Sequence, residues 1–80
     1  MNKRILIVTS NEDHRFLLSA LFKNYGYKID APEEITSSVD MINDFDYYKI
    51  VLDYDEHNLY NRTLCKSIET LDYFKKKYHN

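Results

Sequence analysis

Short unbroken apolar runs alternate with helical stripes along this chain, and the alternation sets the architecture. Ile5, Leu6, Ile7 and Val8 are consecutive, and half of them are β-branched. That is the pattern of a strand buried on both faces. Ser10 or Asn11 is placed to cap a helix, and Ser10 with Asp13 has the spacing of a capping box. Residues 12–25 read as that helix. Leu17 or Leu18, Leu21 and Tyr25 recur at helical spacing, and Gly26 sits where a glycine would end the helix. Tyr27, Ile29 and Ala31 alternate with Lys28 and Asp30, the period of a half-exposed edge strand. Pro32 suits the first turn of a second helix, and Glu33 and Glu34 suit its positive end. Ile35, Val39, Ile42 and Phe45 form its stripe, and "ITSSV" is so poor in helix formers that packing must hold it. A third strand runs over residues 48–53 around Ile50, Val51 and Leu52. The loop "YDEHN" comes next. Leu64, Ile68, Leu71, Phe74 and Tyr78 then mark a last helix over about residues 60–78.

The order is β-α-β-α-β-α. Short buried strands alternating with helices predict an α/β fold with a parallel sheet and right-handed crossovers. The two most apolar strands, the first and third, should be neighbours. The second should flank the first, giving the order 2-1-3. Ligands of such a sheet bind beyond the carboxyl ends of its strands. That edge carries Thr9, Ser10, Asn11 and residues 53–58. With no repeats and no linker, residues 1–80 read as one domain.

Composition narrows the function. A chain of 80 residues buries only about 60–65% of its unfolded surface, which leaves little reserve for a large cavity. One glycine leaves little material for glycine-rich phosphate loops, and no Walker or dinucleotide motif is present. The net charge of −2 argues against a nucleic-acid footprint. Lys75, Lys76 and Lys77 instead suit the negative end of a helix dipole. Cys65 is the sole cysteine, which excludes an intramolecular disulfide and fits a reducing cytosol. It is read as packing beside Leu64. No apolar segment approaches the roughly 20 residues that span a bilayer, and no signal peptide is visible. The expected location is cytoplasmic.

The residues resemble a response-regulator receiver domain of two-component signalling. "ILIV", then Arg15, Leu17, Leu18 and Leu21, then "GYKI" at 26–29, match that family's opening without a gap. The same spacing puts Asp53 on the family's phosphoacceptor aspartate. The match covers about residues 3–53 and implies half of a flavodoxin-like, three-layer fold. Thr9 and Ser10 stand where the family carries the two acidic residues that hold magnesium. The Met-Pro and Asp-Gly pattern after the phosphoacceptor is replaced by "YDEHNLYN". The family's later strand-helix units, with a hydroxyl residue and a lysine that touch the phosphoryl group, have no counterpart up to residue 80. The expectation is a truncated, pseudo-receiver domain in which Asp53 is the only carried-over site residue.

Phosphoryl transfer needs a cation and fixed positive groups around the spreading charge. A lone carboxylate supplies neither. The leading expectation is therefore a protein-interaction module with no enzymatic activity and no cofactor, a regulatory adaptor or decoy that docks on a signalling or transcription regulator. The alternative is a minimal phosphoacceptor switch modified at Asp53. Asn11, Asp55, Glu56 and His57 are the residues that would have to improvise a metal site, although such a loop reads first as a solvated acidic turn. Ser10, His14 and Asp53 invite a hydrolase triad, but the nucleophile elbow is missing, and Ser10 reads as a helix cap. His14 reads as a first-turn surface residue and His79 as a terminal one. The third strand would be an apolar edge, which proteins normally cover. Tyr48, Ile50, Leu52, Tyr60, Tyr73 and Tyr78 are the candidate interface, and a homodimer joined along that edge is expected.

Overall fold

The computed structural model describes residues 3–54 and 57–78, with the backbone alone for 72–78. Six elements succeed one another: β1 (Arg4–Thr9), α1 (Glu12–Asn24), β2 (Lys28–Asp30), α2 (Ile35–Asp44), β3 (Lys49–Asp53) and α3 (Leu59–Tyr78). The strands form a parallel sheet in the order β2-β1-β3. This is the expected flavodoxin-like α/β arrangement. In β1, Arg4, Ile5 and Leu6 align with Lys28, Ile29 and Asp30 of β2. On the other side, Ile5 aligns with Lys49 and the register runs on to Thr9 opposite Asp53.

Central placement explains the composition of β1. Ile5 through Thr9 are all buried, because one face meets α1 and the other meets α2 and α3. Strand alternation sends Leu6 and Val8 to the second face. There they join Ile35 and Ile42 of α2 and Cys65 and Ile68 of α3 in one apolar cluster. Ile50 and Leu52 of β3 pack against the same cluster. The side chains of this candidate interface pair are thus turned into the core.

Several boundaries differ from the sequence pattern, each for a local reason. Asn11, not Ser10, caps α1: its Oδ1 accepts from the His14 backbone N–H at 2.9 Å. Pro32 lies outside α2, which begins at Ile35 behind Glu34, whose side chain makes no cap bond. Phe45 falls just past the end of α2 in extended backbone, and its ring carries the Arg4 guanidinium at 4.9 Å. Gly26 ends α1 as expected. It adopts φ 89°, while its N–H and that of Tyr27 return to Lys23 and Phe22 in a Schellman motif.

The largest difference is the rotation of α1. Leu17, Leu21 and Tyr25 are 63%, 49% and 71% exposed, and the half-buried apolar residues are Leu18 and Phe22. The inward pair sits one residue, about 100° of helix, from the outward pair. Two apolar stripes run along α1, and a single helix on this side of the sheet can bury only one of them.

A polar cluster holds the other side together. Tyr47 Oη donates to Asp30 Oδ2 at 2.7 Å, and Arg4 Nε lies 3.7 Å from the same oxygen. Burial, then the carboxylate, push the Tyr47 phenol well above its ordinary pKa, so it stays a donor. In the core, Ser38 Oγ of α2 is buried with no hydrogen-bond partner among the described residues. Replacing Ile42 by Ala should cost about 2–5 kcal/mol in urea denaturation. Ser38→Ala removes an unsatisfied hydroxyl and should be neutral or stabilising, by on the order of 1 kcal/mol. A clear loss of stability in Ser38→Ala would show that the hydroxyl has a partner in solution.

Candidate functional site

The carboxyl edge of the sheet carries a cleft of about 370 Å³ lined by Thr9, Ser10, Asn11, His14, Asp53 and Tyr54. Three adjoining elements build it. Thr9 ends β1, Asp53 ends β3, and their register brings them side by side. Thr9 Oγ1 donates to Asp53 Oδ2 at 2.8 Å and accepts the Asn11 N–H at 3.0 Å. The cap at Asn11 starts α1 at the angle that brings His14, in its first turn, over β3. His14 Nδ1 then meets the same Asp53 Oδ2 at 2.7 Å. Both described bonds to the carboxylate converge on one oxygen.

These contacts set the electrostatics. Burial pulls the Asp53 pKa up, but the Thr9 hydroxyl and the hydrogen bond and charge of His14 outweigh it. The net direction is down from the ordinary 3.8. Asp53 is therefore an ionised acceptor, still partly open to water at 34% side-chain exposure. The thiol of Cys65 is pushed up by burial, then by the charges of Asp53 and Glu69. A buried thiol with a raised pKa is an inert packing group.

The geometry does not assemble a hydrolase. His14 and Asp53 resemble the orienting pair of a triad. The hydroxyl beside them is Thr9, however, which donates to the carboxylate rather than to the imidazole. Ser10 Oγ instead accepts from Asn61 Nδ2 at 3.1 Å, tying the start of α3 to the β1–α1 junction. Asn58 caps α3 through the Asn61 N–H at 3.0 Å. A metal site is not assembled either: among the described residues no three His, Cys, Asp or Glu side chains are grouped to hold an ion. Asp55, Glu56 and His79 lie outside the described residues, as do the side chains of Tyr73, Tyr78 and Lys75–Lys77. Tyr48 and Tyr60, the other candidate interface tyrosines, are exposed.

His14 is the residue that sequence reasoning undervalued. It is exposed, as a first-turn residue should be, yet it is bound to Asp53. Its signal was its position three residues after the cap, on a helix whose N-terminus must stand at the edge where Asp53 ends its strand.

Thr9→Val keeps the shape and removes the hydroxyl from a residue that is 1% exposed. It should raise the Asp53 pKa, read by NMR titration, and cost about 1–3 kcal/mol near neutral pH. The sign is fixed by linkage. A carboxylate with a depressed folded pKa contributes stability above its unfolded value, and that contribution is lost as pH falls through the folded value. The difference between wild type and Thr9→Val should thus shrink as pH drops below about 4.

No family model, no curated protein and no solved structure matches the chain.

Proposed function

We propose that this chain is a non-catalytic, receiver-like protein-interaction module, a regulatory adaptor or decoy that acts through contacts with a signalling or transcription regulator or with its own copies. The observation that carries the reading is the engagement of Asp53. Its carboxylate binds Thr9 and His14, and so joins β1, β3 and α1. A phosphoacceptor works against a bound cation, and a threonine and a serine hydroxyl stand where two carboxylates would hold one. Neutral hydroxyls are poor substitutes for anionic ligands of magnesium.

The interaction half of the proposal is supported by surface. Leu17, Leu21 and Tyr25 form an exposed apolar flank on α1, beyond what an isolated scattered hydrophobe explains. No helix among the described residues is long and apolar enough to cross a membrane, so that flank is not part of such a span.

The second reading keeps Asp53 as a minimal phosphoacceptor, and it is favoured by the open cleft around that side chain. One experiment separates the two. Amide NMR spectra recorded with magnesium and beryllofluoride should be unchanged on the interaction reading. Saturable shifts at residues 9–11, 14 and 53–54 would sink that reading and establish the switch. Asp53→Asn should stay folded and lose only part of the Thr9 and His14 contacts, with a stability cost of about 1–2 kcal/mol.

A further inference from the structure

We propose that the exposed stripe of α1 docks a second copy of this chain, the two α1 helices packing antiparallel about a two-fold axis between Leu17 and Ala20. This rests on the interaction-module reading and names its surface and its partner.

The stripe is larger than scattered surface hydrophobes produce. Phe16 is 73% exposed, beside Leu17, Leu21 and Tyr25. With Ala20, which is also exposed, these residues recur turn by turn on the side of α1 opposite Leu18 and Phe22. The core cluster places α2 and α3 on the other face of the sheet, so among the described residues no helix packs beside α1. An aromatic side chain carries about 150–250 Å² of surface, so the four large side chains offer on the order of 500 Å² at these exposures. Each partner in a specific interface gives up roughly 600–1,000 Å². The stripe supplies most of the lower figure, and its polar ends supply the rest.

The charges decide which helix fits. "EDHRFLLSALFKN" has Glu12 and Asp13 in its first turn and Lys23 in its last, with the apolar stripe between them. Reversed, that pattern is complementary to itself. A two-fold axis between antiparallel helices reverses their direction and keeps each flank on its own side. Glu12 and Lys23 stand about three turns apart and therefore share a flank with Phe16. The axis brings Glu12 of each copy to Lys23 of the other. Along the middle of the stripe Leu17 meets Ala20 and Leu21, and Asp13 meets Asn24. The small side chain of Ala20 lets the helix axes approach to about 8 Å. Parallel packing would set acid against acid and base against base. An anionic membrane would likewise be repelled at Glu12 and Asp13. The contact is isologous, so it closes at two copies, and it adds core to a chain too short to bury much alone.

Sedimentation velocity on the intact chain should show a concentration-dependent dimer. Leu17→Glu puts a carboxylate in the middle of the stripe, on a side chain already 63% exposed. It should weaken the dimer about tenfold or more and leave the circular dichroism unchanged. Glu12→Lys and Lys23→Glu each set like charges against each other and should each weaken self-association about tenfold. An equimolar mixture of those two variants should dimerise again, because every reversed charge then meets its opposite. A chain that stays monomeric up to near-millimolar concentration overturns the proposal, and binding of that monomer to anionic vesicles would assign the stripe to a membrane. A dimer that ignores Leu17→Glu and both charge reversals also overturns it, although that result leaves the interaction module standing. A beryllofluoride response without loss of the dimer would have the opposite effect, ending the non-catalytic reading and sparing this interface.

Discussion

Burial of β1 on both faces is the constraint on which the rest depends. A strand bonded on each side and covered on each face must be apolar throughout, and Ile5 through Val8 meet that demand. A sheet of three strands has only one such position. Filling it with the most apolar run places β2 and β3 at the edges, and the right-handed crossover rule puts α1 on one face and α2 on the other. Thr9 is where the constraint meets the chemistry. It is as buried as the residues before it, so its hydroxyl needs a partner, and Asp53 is opposite in register. The Thr9–Asp53 bond is thus a consequence of the sheet as much as a feature of a site.

That origin changes how the cleft is understood. A buried hydroxyl, a capping Asn11 and a first-turn His14 are each satisfied by local rules, and Asp53 collects two of their bonds. The carboxylate is drawn below its ordinary pKa by neighbours that also hold three elements together. Perturbed titration marks functional sites, but ion-pair networks with a structural role produce it too. Here the hydrogen bonds account for the shift without any bound ligand.

Much of the fold was legible in the sequence because period and burial agree in the strands. The runs around Ile5–Val8 and Ile50–Leu52 named both strands and their adjacency, and Gly26 named the end of α1. The failures came where two signals competed. Ser10 and Asn11 are both good caps, and only the tie from Asn61 to Ser10 Oγ, across more than half the chain, separates them. Leu17 with Leu21 and Leu18 with Phe22 are equally good helical stripes, and the choice between them was made by the sheet surface. Of the site, Asp53 was visible as the end of an apolar run. The contact with His14 was not, since it depends on how α1 is tilted by its cap.

The alternation that hides Ile50 and Leu52 also joins the site to the sheet. Their side chains enter the core, while the Arg4 carbonyl faces β3 and the register sets Leu6 opposite Ile50. In a parallel ladder of that register the backbone groups of Lys49, Val51 and Asp53 turn to β1, and those of Ile50 and Leu52 are left on the open edge. Asp53 is consequently held to β1 twice, by its backbone in the ladder and by its carboxylate through Thr9. The bond from His14 adds α1 to the same residue. On this view the polar cluster has a purpose that requires no chemistry, which is to keep the end of an edge strand in register.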